Sequence, residues 1–195
     1  MALITEAQIR KVANDSSRSR MASTVLKEEI AKSAGMTSFD VFLSHSFKDA
    51  ELIFGVKKTL EKQGLTVYVD WVEDPQLDRG KVTEATAAML RRRMKQSKTL
   101  IYAHSNSSPD SKWMPWELGY FDGYRGVVAI LPLAKADGDT FTGQEFLGLY
   151  PYLDGDTAII WINKGKAARS RLGQLQENRD FRDVKGWMRE LGGVR

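Results

Sequence analysis

The sequence predicts an α/β fold built on a doubly wound parallel sheet, and three observations carry that expectation. Short runs rich in β-branched and aromatic residues alternate with longer stretches whose apolar residues recur at helical spacing. Gly, Pro, Asn, Asp and Ser gather between them as turn signals. Five of the short runs occur, and strands alternating with helices imply parallel pairing with helices on both faces.

The elements follow in order. Thr5 and Gln8 have capping-box spacing, so a helix is expected near the start; Asn14-Asp15-Ser16-Ser17 interrupts it before a second helix-like stretch through about Ala31. Gly35 closes this leading segment. FDVFLSHS, Phe39 to Ser46, is the first strand; Ala50 to Gln63 is a helix, with Gly64 where a helix stop belongs. LTVYVDW, Leu65 to Trp71, is the second strand, followed by the loop EDPQLDRG and a helix over Val82 to Gln96. TLIYAHS, Thr99 to Ser105, is the third, and SNSSPDS leads to a helix that begins in SKWMPWELGYFDG. GVVAILPL, Gly126 to Leu133, and TAIIWI, Thr157 to Ile162, complete the five, with helix or loop between them. Beyond Gly165, Phe181, Val184, Trp187, Met188 and Leu191 make an amphipathic helix expected to pack on this domain.

The simplest strand order is 2-1-3-4-5, which puts the ligand crevice beyond the carboxyl ends of strands 1 and 3. Those ends read LSHS and YAHS, so the two histidines, His45 and His104, fall near one crevice. The next helix carries Trp113, Glu117 and Phe121 on one face with Tyr120 beside them, and Glu117 is the charge among them. A carboxylate is costly to bury unless it is paired or hydrogen-bonded. Glu117 is therefore a solvated first-turn charge favoured by the helix dipole, a structural partner for a cation, or a working group.

Composition narrows the function classes. A chain of 195 residues with 42% hydrophobic content suits one globular domain plus an appendage. The absence of cysteine removes disulfides, thiolate metal sites and cysteine nucleophiles. No apolar run is long enough to span a bilayer, and MALITEAQIRKVANDSS lacks the apolar block of a secretion signal, so a cytoplasmic location is expected with no membrane partner. Residues 1–37 hold 6 basic and 4 acidic side chains, 38–163 hold 14 and 17, and 164–195 hold 9 and 4. That acidic middle argues against a nucleic-acid-binding core, while a basic C-terminal face leaves an acidic partner open. Arg91, Arg92 and Arg93 point in different directions on a helix and read as a solvated face.

Several chemistries lack their signatures. There is no GxGxxG after the first strand and no GxxxxGK[ST], so neither a dinucleotide fold nor a P-loop is signalled. Two histidines without a third ligand make a poor zinc site. Ser46 or Ser105 has no GxSxG elbow to present it as a nucleophile. A phosphorylated receiver needs an Asp ending strand 3, where His104-Ser105 stands instead.

FDVFLSHSFKDAE, GLTVYVDW with its loop EDPQLDRG, and SKWMPWELGYFDG, in that order, resemble the Toll/interleukin-1 receptor (TIR) domain, in particular a bacterial one, over about residues 38–163. The resemblance implies a five-stranded flavodoxin-like sheet, flanked by helical extensions over residues 1–37 and 164–195. Its third block is similar to the Trp-x-x-x-Glu of TIR domains that cleave NAD+, and it falls on Trp113 and Glu117. The implied activity is that of an NAD+ nucleosidase or cyclase giving a linear or cyclic ADP-ribose signal. Glu117 would be catalytic, and Ser44, His45, Ser46, Lys48, Asp70, Trp113 and Trp116 would bind substrate. Nicotinamide is a good leaving group and the ribose becomes oxocarbenium-like, so one carboxylate suffices where a glycosidase uses two. NAD+ is then the substrate, and no cofactor or metal is expected. The acceptor stays open between water, the adenine part of the same molecule and another nucleophile. Bacterial members include antiviral enzymes whose nucleotide product activates a separate effector. The loop Val72 to Gly80 is expected to contact a neighbouring subunit in an active homo-oligomer. Many signalling TIR domains keep the fold as scaffolds, so a non-catalytic protein–protein module is the alternative.

Overall fold

The computed structural model describes residues 3–17, 28, 35–74, 83–141, 146–163 and 182–192. Among them the chain runs through α1 (Glu6–Ser17), β1 (Phe39–Ser44), α2 (Ala50–Lys62), β2 (Val67–Tyr68), a short α3 (Asp70–Glu73) and α4 (Glu84–Lys95). It continues through β3 (Ser97–His104), α5 (Trp113–Tyr124), β4 (Val128–Pro132), β5 (Tyr152–Gly155), β6 (Ile160–Asn163), β7 (Arg182–Asp183) and α6 (Val184–Gly192). The strands form one sheet of seven in the order β2-β1-β3-β4-β5-β6-β7.

The α/β class and the doubly wound half are as expected. Strand β1 pairs in parallel with β2 on one side and β3 on the other, with Ser44 opposite Tyr102, and β3 pairs in parallel with β4. The winding reverses between β1 and β3, where the crevice was placed. The fifth position is a correction. The place beside β4 is taken by Tyr152–Gly155, and the apolar run expected there becomes β6, antiparallel to it. The cause is a tight turn: Gly155 has φ +124°, and the Asp156 carboxylate accepts from the Ala158 and Ile159 amides. So short a connection makes a hairpin, whereas a parallel partner needs a long crossover. Strand β2 is also shorter than expected, because Asp70 turns the chain into α3.

Two apolar cores cover the faces. Side chains from α1 and the residues just ahead of it, from α2 and from α6 bury one face, including Ile4, Ile9, Leu52, Val56, Trp187 and Met188. Side chains from α4 and α5 bury the other, including Leu90, Met94, Trp113, Leu118 and Phe121. The terminal helices therefore belong to the packed body. The expected capping box starts α1: the Thr5 amide donates to Gln8 Oε1 at 2.8 Å and the Gln8 amide to Thr5 Oγ1 at 3.2 Å. Helix α1 approaches α2 so closely that a Cβ on Gly55 would lie 2.3 Å from the Ile9 carbonyl oxygen. Most of the loop Val72 to Gly80 and most of the second N-terminal helix-like stretch lie outside the described residues.

Candidate active site

Helix α5 follows β3 through the 3-10 turn Ser108–Asp110 and carries Pro115 in its first turn, where a missing N–H costs nothing. Its buried residues are Trp113, Met114, Glu117, Leu118 and Phe121, so the stripe read from the sequence faces the sheet with Glu117 inside it. Glu117 has no exposed surface. A carboxylate in that position needs hydrogen-bond donors. Ser44 supplies one, its Oγ–H donating to Glu117 Oε2 at 2.6 Å, the short distance typical of a bond to a carboxylate. Ser44 ends β1 and is itself fully buried, which fixes the carboxylate against the sheet edge. Its β3 partner Tyr102 feels the same charge. Burial first, and then Glu117, push the Tyr102 phenol up to about 12.

Trp113 and Trp116 meet edge to face at 5.4 Å between ring centroids, so the structure brings them together at the head of α5. Trp113 is buried while Trp116 is half-buried, stacked on Tyr120 at 5.9 Å and covered by the Arg91 guanidinium at 5.7 Å. His45 and Asp70 form a separate pair, both buried. His45 Nδ1 lies 2.9 Å from the Leu43 carbonyl oxygen, and its Nε2 lies 3.3 Å from Asp70 Oδ1, off the line of a good hydrogen bond. Asp70 Oδ1 also accepts from the Trp71 amide at 2.9 Å. This pair ties the end of β1 to the start of α3, behind the point where Ser44 holds Glu117.

No protein-family model matches the chain. A protein of Bacillus cereus (strain MSX-D12), named by provisional assignment as the 3' cyclic ADP-D-ribose synthase ThsB', is 46% identical over 170 residues, covering 83% of this chain and 88% of that protein. A second relative, from Cytobacillus dafuensis, is provisionally named cyclic ADP-D-ribose synthase TIR2 and is 37% identical over 83 residues, which is 42% of this chain and 22% of that protein. This chain belongs to the bacterial TIR proteins.

Within this TIR fold the crevice mouth is laced by contacts between the loop after β1 and the loop after β3. Lys48 does not face Glu117: its Nζ donates to Asp110 Oδ2 at 2.7 Å, and that hydrogen bond, followed by the Asp110 charge, raises the Lys48 pKa. Ser46 is buried and its Oγ accepts from the Lys48 amide at 3.4 Å, capping the 3-10 turn Phe47–Asp49. Deeper in, Ser105 Oγ donates to Asp49 Oδ2 at 2.5 Å, and the Ser105 amide donates to Ser108 Oγ at 2.8 Å. Sequence reasoning missed Tyr102, Asp49 and Asp110, and weighed Ser105 only as a nucleophile. For Tyr102 a signal existed, since strand alternation puts it on the α5 face. Among the described residues no group of three or more His, Asp or Glu is placed to hold a metal ion, and no helix is long and apolar enough to cross a membrane.

Proposed function

We propose that this TIR protein breaks the nicotinamide N-glycosidic bond of NAD+ and releases the ADP-ribose half as a cyclic signal nucleotide. The observation that carries the proposal is Glu117 of Trp-x-x-x-Glu, fully buried beside the β1–β3 switch point and gripped by Ser44. The name of the Bacillus cereus relative, a 3' cyclic ADP-D-ribose synthase, supports the same reading. In this mechanism the C–N bond breaks and its electron pair leaves with nicotinamide, which departs as a neutral molecule and needs no general acid. The positive charge left on the ribose is stabilised by the Glu117 carboxylate, already oriented before substrate arrives. An acceptor oxygen then bonds to the anomeric carbon and gives its proton to solvent.

Glu117 is sealed in the resting arrangement, so ribose reaches it only when the crevice opens. Trp113 and Trp116 wall the opened site, Lys48 exchanges Asp110 for the substrate diphosphate, and Ser46 and the His45–Asp70 pair hold the loop that carries Lys48. The TIR unit over residues 38–163 carries this chemistry, with α1 from the segment 1–37 and α6 from the segment 164–195 seated on it. Opening is coupled to TIR–TIR contacts in a homo-oligomer, and the product acts on a separate effector in the cytoplasm during antiviral defence. Complete burial of Glu117 is also what a scaffold module would show. Mass spectrometry of products after incubating the full chain with NAD+ separates the two: the enzyme reading expects nicotinamide plus cyclic ADP-ribose, and intact NAD+ would favour the scaffold.

A further inference from the structure

A cleft of about 460 Å³ opens beyond the ends of β3 and β4, away from the sealed carboxylate. That volume lies within the range of about 300–1,000 Å³ typical of small-molecule sites. Its walls include His104, Asn106, Lys135 and Phe141, with Leu3 contributed by the segment ahead of α1. Leu3 is held there by the backbone: the Ala134 amide donates to the Ile4 carbonyl oxygen at 2.9 Å, and the Glu6 amide to the Ala134 carbonyl oxygen at 2.8 Å.

Aromatic rings join this cleft to the site. His104 stacks on Tyr102 with centroids 6.4 Å apart, Phe141 meets His104 edge to face at 5.5 Å, and Tyr152 stands 6.0 Å behind Phe141. Tyr102 is the residue that feels Glu117, and it lies opposite Ser44 in the sheet. Two residue steps along β3 lead from it to His104, about 7 Å at the usual rise. Tyr102 thus stands between the cleft wall at His104 and the strand end where Ser44 holds Glu117. His104 Nδ1 is buried and has no hydrogen-bond partner among the described residues. Burial also lowers the His104 pKa, which keeps the ring neutral and stackable at pH 7. A flat aromatic wall, an amide and a flexible ammonium suit a purine nucleoside followed by a diphosphate.

We propose that this cleft holds the adenosine half of NAD+ while Glu117 acts on the other ribose, and that its grip sets how much product is cyclic. The proposal rests on the NAD+ reading of Glu117 and goes beyond it. In cyclisation through the adenosine ribose, as the 3' in the Bacillus cereus relative's name implies, a hydroxyl oxygen bonds to the anomeric carbon as nicotinamide leaves with the electrons of the broken C–N bond; the hydroxyl proton passes to solvent. Water gives the linear product by the same balance. An adenosine half anchored beside Tyr102 presents its hydroxyl ahead of water, and one that is free does not.

The test uses the full chain and two readouts, AMP binding by calorimetry and the ratio of cyclic to linear ADP-ribose made from NAD+. Phe141→Ala is expected to weaken AMP binding about tenfold, the scale of losing one base–aromatic stack. It is also expected to lower the cyclic-to-linear ratio by a similar factor. Phe141→Trp keeps a stacking surface and is expected to restore both, which separates a ligand role from damage to the fold. AMP binding that depends on Phe141 in a protein that leaves NAD+ intact would refute the NAD+ reading while keeping the cleft. AMP binding and product ratio both unchanged in Phe141→Ala would overturn the cleft proposal while leaving Glu117 catalysis standing.

Discussion

The two faces of the sheet differ in what they bury. The face under α1, α2 and α6 is mainly aliphatic, from Ile4, Val41 and Leu43 through Leu60 to Ile162. The face under α4 and α5 is rich in rings, with Phe39, Phe42, Tyr68, Tyr102, Trp113 and Phe121 all buried, and Glu117 lies among them. Aliphatic side chains bring apolar area and few polar atoms, so they contribute stability through burial. Aromatic rings add flat surfaces and polar tips that suit binding. The α1/α2/α6 face is the platform, and the α4/α5 face is where chemistry has been allowed to cost stability.

If that division is right, substitutions on the platform change melting temperature and substitutions on the aromatic face change turnover per folded molecule. The largest stability loss is expected from Trp187→Ala in α6. It removes a nearly buried ring from the platform and should cost about 3–5 kcal/mol in denaturant unfolding, with activity of the remaining folded protein retained.

The platform also holds one buried ion cluster. Lys57 Nζ donates to the Val67 carbonyl oxygen at 2.9 Å and sits 2.9 Å from Glu61 Oε1 and 3.3 Å from Glu73 Oε1. Burial pushes Glu73 up to about 7, more than Lys57 and the Val69 amide pull it down. A carboxyl whose folded pKa exceeds its unfolded value binds its proton more tightly when folded. Its stabilising effect is full below the unfolded value near 4.5 and is lost as pH rises to about 7. Unfolding free energy should fall by up to about 3 kcal/mol across that window, and Glu73→Gln should flatten the slope. An equal slope in the variant would remove Glu73 from the account.

Gly55→Ala comes next. Its Cβ meets the Ile9 backbone, and forcing α1 off α2 should cost about 1–3 kcal/mol, read as a lower melting temperature. Ser44→Ala sharpens the comparison from the other side, since it takes one donor from a buried carboxylate. It should lower turnover about tenfold and stability by about 1–3 kcal/mol, the cost of leaving a buried acceptor short of a partner. A stability loss with turnover unchanged would make Ser44 part of the platform.

Much of this was legible in the sequence because it is local. Period and turn chemistry exposed the β2-β1-β3-β4 half and α5, and one charge inside an apolar stripe exposed Glu117. Strand β5 was hidden because Pro151, Asp154 and Gly155 make YPYLDGD look like a loop, and only pairing with β4 and β6 makes it a strand. From the sequence, Lys48 is a cation available to substrate. Its partner Asp110 is 62 residues away and reaches it only because both loops leave the same sheet edge. The cleft at His104 and Phe141 gathers segments from residue 3 to residue 141, a juxtaposition that no local pattern carries.

The central claim is that Glu117 is buried to work rather than to hold the fold, and Glu117→Gln tests it most directly. Glutamine keeps the shape and can still accept the Ser44 hydroxyl, so the substitution removes charge with little change in packing. NAD+ consumption and thermal unfolding are measured on the same preparations of wild type and variant. The account predicts a loss of turnover of roughly a hundredfold or more, the scale of removing one preorganised electrostatic group, with the melting temperature held or raised. Turnover unchanged per folded molecule, with a lower melting temperature, would contradict it.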